Sequence, residues 1–247
     1  MSTPADRPAK TLRELWRGLA GAMPGPCALC GSWAPGALCA PCRLRFAAAT
    51  PRCLRCALAV VQAGACGACL ARPPAVAATV AAVDYGFPWD RLIGAFKFQQ
   101  QPEWAPAFSG LIDAALRRHP AAPPADVVLP VPLAPARLAE RGYNQAWQLA
   151  RHLAARRGLP AHAGWLLRLR DTPHQVGASR TQRLHNLRAA MWVTPDGAAH
   201  LAGRHVALVD DVLTTGATAE AAAQALLTAG AASVQLWVLA RTPAPER

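Results

Sequence analysis

Cysteine falls only between positions 27 and 69 of this 247-residue chain, in four copies of one spacing: Cys27/Cys30, Cys39/Cys42, Cys53/Cys56 and Cys66/Cys69. Two cysteines separated by two residues can grip one metal ion from a tight knuckle, and two knuckles supply the four thiolates of a closed tetrahedral Zn²⁺ site. Eight ligands therefore make two zinc sites. A disulfide framework would explain the even count but not the repeated spacing, and a thioredoxin-like redox pair needs one such motif beside a βαβ pattern. Around the cysteines, turns such as Pro24-Gly25-Pro26 and Pro35-Gly36 leave no long periodic element. Metal must replace the missing core there. The cages can be sequential (first four cysteines, then last four) or cross-braced; sequential is expected, because shorter loops close at lower entropic cost.

Ahead of the cysteines, Leu12, Leu15, Trp16 and Leu19 stand at helical spacing, so 1–23 is expected to hold an amphipathic helix. Residues 24–70 form the expected double zinc-ribbon module, and 71–77, with Pro73-Pro74, a stiff linker. From there on the pattern alternates. Strands are expected over 80–85, 125–129, 165–169, 189–193, 205–209 and 233–240, and helices over 88–99, 103–118, 134–157 (one or two), 179–187 and 217–229. Such alternation predicts an α/β domain over 78–242, built on a largely parallel sheet flanked by helices.

Hydrophobic residues make up 53% of the chain and charged ones 16%, which supplies a core and excludes a disordered protein. No run approaches the roughly 18 apolar residues of a membrane span, and the first residues carry charges where a signal peptide needs its apolar stretch. A cytoplasmic protein with no membrane insertion is the expectation. The net charge is +12, and all the basic residues but Lys10 and Lys97 are arginine. Arginine's planar fork suits phosphate oxygens, while coding bias would equally give an arginine-rich solvated surface.

The most informative stretch is His205-Val-Ala-Leu-Val-Asp210-Asp211-Val-Leu-Thr214-Thr215-Gly216-Ala217-Thr218. An apolar strand ends in two carboxylates, then a hydroxyl-bearing turn opens a helix, the place where ligands bind in open α/β sheets. Asp210 and Asp211 can hold a ribose diol, or a Mg²⁺ through water. Thr214, Thr215, Gly216, Ala217 and Thr218 can wrap a phosphate with amides, hydroxyls and the positive end of the helix. A plain helix cap would explain the threonines, but not two adjacent carboxylates behind an apolar strand. The Gly-Lys-Ser/Thr ending of a Walker A loop is absent.

Residues 206–218 resemble the phosphoribosyl-pyrophosphate (PRPP) binding motif of type I phosphoribosyltransferases. That resemblance implies that Asp210 and Asp211, also the candidate catalytic residues, hold the ribose hydroxyls, and that Thr214 to Thr218 hold the 5-phosphate. Pro130-Val131-Pro132-Leu133, followed by Arg137, Arg141, Gly142, Tyr143, Asn144 and Gln145, could grip a pyrophosphate through guanidinium forks, with Val131, Pro132, Arg137 and Arg141 as candidates. A proline-broken loop before an ordinary basic helix explains that piece equally well on its own. Together with the cysteine pairs and with Gln175, Arg180, Arg183 and Asn186, the segment is similar to the signature of the ComF family of competence-associated proteins. The resemblance runs from Cys27 to about Arg241. It implies a zinc module joined to a phosphoribosyltransferase-like domain, with Zn²⁺ and Mg²⁺–PRPP as cofactors and ligand. It also implies a role in natural competence, DNA uptake or the handling of transforming DNA, with single-stranded DNA and DNA-uptake or recombination proteins as partners. The alternative is an enzyme, a phosphoribosyltransferase passing ribose 5-phosphate from PRPP to an acceptor the sequence does not name. One departure stands out: Gln99-Gln100-Gln101 follows Phe96-Lys97-Phe98 where relatives carry a glycine turn, so Lys97 is either a ligand candidate or a solvated helix end.

Overall fold

The computed structural model describes residues 24–62, 64–119, 124–169 and 191–244. The helices expected over 11–23 and 179–187, and Gln175, Arg180, Arg183 and Asn186, fall outside the described residues. The chain divides into two compact units, Met1–Arg45 and Phe46–Arg247. The division falls inside the stretch 24–70, so each unit carries one group of four cysteines.

In the first unit, β1 (Pro24–Pro26) pairs antiparallel with β2 (Trp33–Pro35); α1 (Ala40–Phe46) begins beside Cys39 and ends at the division, Phe46 being the first residue of the second unit. The second unit opens with the second cysteine group and the short α2 (Gly67–Ala71). It continues through β3 (Ala78–Asp84), α3 (Trp89–Phe98), α4 (Ala105–Arg118), β4 (Val127–Pro130), α5 (Pro135–Arg141) and α6 (Gln145–Arg157). Next come β5 (Leu166–Arg168), β6 (Met191–Val193), α7 (Pro195–Leu201), β7 (His205–Leu213), α8 (Ala217–Thr228) and β8 (Ser233–Arg241).

Four strands form one parallel sheet in the order β3-β8-β7-β4, and β5 with β6 makes a separate antiparallel ribbon. The sheet is an α/β sheet of the type I phosphoribosyltransferase kind, parallel because helices return the chain between its strands. Its inner strands are apolar without alternation, as strands covered on both faces must be: Val206, Ala207, Leu208 and Val209 of β7 are all fully buried. One face packs on α8 through Val206, Leu208, Ala222 and Leu226. Helices α4 and α6 pack together, α4 on β3 and β8 and α6 on β4 and β7.

Two details differ from the sequence reading. Strand β7 runs on through both aspartates to Leu213, because β8 stays paired with it as far as Arg241. Helix α7 was not expected; at seven residues it is too short to show a period, and it is set by the Thr194 hydroxyl, which accepts the Gly197 amide, with Pro195 in its first turn.

Candidate functional site

The cysteines gather sequentially, Cys27, Cys30, Cys39 and Cys42 in one group and Cys53, Cys56, Cys66 and Cys69 in the other, with the four sulfurs of each group within 4.8 Å of one another. Cys30 and Cys39 Sγ lie 3.6 Å apart and Cys56 and Cys66 Sγ 3.8 Å. Four sulfurs bound to zinc at about 2.3 Å define a tetrahedron with edges of about 3.8 Å, whereas a disulfide needs about 2.05 Å. Backbone amides also serve the sulfurs: Cys39 N–H donates to Cys27 Sγ and Cys66 N–H to Cys53 Sγ. Burial pushes the Cys27 and Cys53 thiols up, but the amides around them outweigh it and bring them down to about 6 and about 7. Burial instead pushes Cys42 up to about 12 and Cys56 up to about 11 and raises Cys69, so a bound cation is what would hold these as thiolates. At tetrahedral spacing and supported by amides, each group fits Zn²⁺.

Within the second unit, a cavity of about 340 Å³ opens at the carboxyl ends of the strands. Its wall includes Asp210, Asp211, Thr214 and Thr218 from β7 and the turn into α8, and Val131, Pro132, Arg137 and Arg141 from the loop after β4 and helix α5. Thr215, Gly216 and Ala217 belong to the same turn but do not line the cavity. Gly216 adopts φ +82°, a left-handed conformation that favours glycine, and starts α8. Thr215 Oγ1 accepts the Ala217 amide at 3.4 Å.

The two aspartates are held differently. Asp211 is buried, its Oδ1 2.9 Å from Lys97 Nζ and its Oδ2 accepting from Gln145 Nε2 at 3.2 Å. Asp210 Oδ1 accepts the Asp211 amide. Burial first, and then the Asp211 carboxylate beside it, push Asp210 up to about 7, against the pull of Lys97, that amide and Arg141. Lys97 is thus no solvated helix end: its side chain is 20% exposed and spent on Asp211. The Tyr143 hydroxyl donates to the carbonyl of Phe96, the residue before Lys97 in α3. Asn144 joins the proline loop to α6, giving Nδ2 to the Val131 carbonyl and accepting the Ala146 and Trp147 amides.

Arg141 Nε and Gln145 Oε1 are buried without a hydrogen-bond partner among the described residues, and both residues line the cavity. An unmet guanidinium donor and an unmet amide acceptor beside two carboxylates are complementary to an anion carried with a cation or a diol. The residues present therefore fit Mg²⁺ and a phosphorylated sugar. Sequence reasoning left Lys97 undecided and gave Gln145 no role; both meet Asp211 only through the fold, and Gln145 was marked solely by its place in the segment after Arg141.

The phosphoribosyl transferase domain family matches residues 139–247. The "DNA utilization protein YhgH" of Escherichia coli (strain K12) is 35% identical over 234 residues, 89% of this chain and 98% of that protein. The "Competence protein F" of Haemophilus influenzae is 34% identical over 180 residues, 71% of this chain and 78% of its own. The "Competence protein ComFC" of Bacillus subtilis is 39% identical over 117 residues, 47% of this chain and 45% of that one.

Proposed function

The chain belongs to the ComF family of competence and DNA-utilization proteins, and from that premise we propose that it binds PRPP with Mg²⁺ in the cavity of the second unit and Zn²⁺ in both cysteine cages, in the service of DNA handling. The observation that carries this reading is the meeting of Asp210, Asp211, Thr214 and Thr218 with Arg137 and Arg141 around one cavity. A diol-binding acid pair, a phosphate turn and two guanidinium groups match the parts of PRPP: ribose, 5-phosphate and pyrophosphate.

In this reading the two carboxylates divide their work. Asp211, held by Lys97 and Gln145, is a fixed anion that keeps its orientation whatever the ligand. Asp210, raised to about 7, would hold a cation or a ribose diol best as the carboxylate, its proton passing to solvent. The turn from Thr214 to Thr218 receives the 5-phosphate at the amino end of α8, and Arg137 and Arg141 receive the pyrophosphate. Mg²⁺, when bound, neutralises the pyrophosphate and polarises its bond to the anomeric carbon.

Calorimetric titration of PRPP with Mg²⁺ tests the site. Wild type is expected to bind one equivalent, and Asp210→Asn/Asp211→Asn to lose binding by more than about tenfold, the loss of about 1.4 kcal/mol or more. Unaltered binding in the variant would refute it. The DNA-handling half rests on the relatives' names and the +12 charge; its test is an affinity for single-stranded DNA that falls steeply with salt. Catalysed transfer is the second reading, favoured by arginines in the cavity wall, and pyrophosphate release on offering nucleobases separates it from binding alone.

A further inference from the structure

Arg241 ends β8 with its guanidinium buried, and it touches two features that lie far apart in the chain. Its Nε donates to the carbonyl of Cys56 at 2.9 Å, and Cys56 belongs to the second cage. Its Nη1 lies 2.9 Å from the Leu213 carbonyl and 2.6 Å from that of Thr214, where the phosphate turn begins. The same nitrogen meets the carbonyl and hydroxyl of Thr242, so one side chain fastens a metal-ligand residue to the turn. A second tie runs in parallel: the Ala75 amide, just past the cage, donates to Glu220 in the first turn of α8 at 2.9 Å. At the other side the cage is docked on β3, where the Thr79 amide and hydroxyl donate to the carbonyls of Leu54 and Arg55 and Arg52 pairs with Asp84 at 2.7 Å.

We propose that Arg241 is a positioning residue that couples the second cysteine cage to the phosphate turn, so that metal in the cage sets the turn's geometry for the 5-phosphate. The coupling rests on the reading of the cavity as a PRPP site for its ligand, but the linkage itself is present without one. A guanidinium is planar and its donors diverge at fixed angles, so it holds the Cys56 and Thr214 carbonyls at a set separation. A lysine ammonium is a point donor and cannot span both. With the metal gone, the Cys53–Cys56 knuckle loses its closure, and the carbonyl that steadies Arg241 is no longer fixed. Because coupling between two bound groups is reciprocal, Mg²⁺–PRPP on the turn must in return steady the metal in the cage.

The test uses the full zinc-loaded chain, with Cys66→Ser to empty the second cage and Arg241→Lys to cut the link. Amide hydrogen exchange over 213–218 is expected to quicken about tenfold or more in both variants, while Arg241→Lys keeps two zinc ions per chain. A tenfold change corresponds to about 1.4 kcal/mol of lost protection. In wild type, Mg²⁺–PRPP is expected to slow zinc release to a chelator, and in Arg241→Lys that slowing disappears, which a merely structural arginine would not cause. Loss of zinc in Cys66→Ser with unchanged exchange over 213–218 overturns the coupling. Quickened exchange in a chain whose wild type binds no Mg²⁺–PRPP upholds the linkage and overturns the PRPP reading instead.

Discussion

Asp210 and Asp211 are neighbours in sequence with opposite electrostatic surroundings. Asp211 has a cation on one oxygen and an amide donor on the other, whereas Asp210 carries the burden of burial and of its neighbour's charge. The folded protein holds the Asp210 proton more tightly than the unfolded chain does, since the group rises from 3.8 to about 7. Its contribution to stability is thus fully present below the unfolded value and lost as pH rises through about 7. Ligand binding has the opposite sign, because Mg²⁺ favours the carboxylate. Affinity for Mg²⁺–PRPP is expected to rise with pH up to about 7 and level off above it, falling about tenfold for each unit below. Replacing Asp210 by Asn should remove this part of the slope, with the ligand's own phosphate titration left behind. Lys97→Met removes a cation that pulls Asp210 down, and the midpoint should move to higher pH. A midpoint that stays in place in Lys97→Met would show that Lys97 does not act on the pair.

At the scale of elements, the turn between β7 and α8 is held by conformation as well as by bonds. Gly216 sits at φ +82°, and a Cβ there would meet only Leu213 Cδ1 at 3.7 Å, an ordinary contact. The cost of Gly216→Ala is therefore conformational, about 1–2 kcal/mol for a left-handed residue with a side chain. Melting temperature should fall by about 2–4 °C for each kcal/mol in a chain of this size. Weaker Mg²⁺–PRPP binding should accompany it, as the turn's amides are displaced; an unchanged melting curve would mean the turn tolerates another conformation. The second cage belongs to the same element group. Ala57, directly after Cys56, is fully buried in the core cluster, and the cage's carbonyls accept from β3 and β8. It is a part of the sheet's edge as much as a candidate metal site.

Across the whole molecule, much of the framework was legible in the sequence for reasons that are local. The sequential grouping of cysteines follows from short loops, and the parallel sheet from apolar strands too uniform to face water. The aspartates, the turn and the proline loop were visible because each is a contiguous stretch whose residue types are unusual together. What the sequence hid is non-local. Lys97 on Asp211, Gln145 on Asp211 and Arg241 on Cys56 and Thr214 each join segments distant along the chain, and none has a periodicity or spacing that announces it. The bonding of the second cysteine group into β3 and β8 was hidden for the same reason, because four identical cysteine pairs carry no mark of which strands they meet. The most direct measurement is a crystal structure of the full chain with Mg²⁺–PRPP. The account predicts the 5-phosphate within hydrogen-bond distance of the turn from Thr214 to Thr218, the ribose diol at Asp210 and Asp211, and the pyrophosphate facing Arg137 and Arg141. An empty cavity at saturating ligand, or a phosphate bound away from that turn, would contradict it.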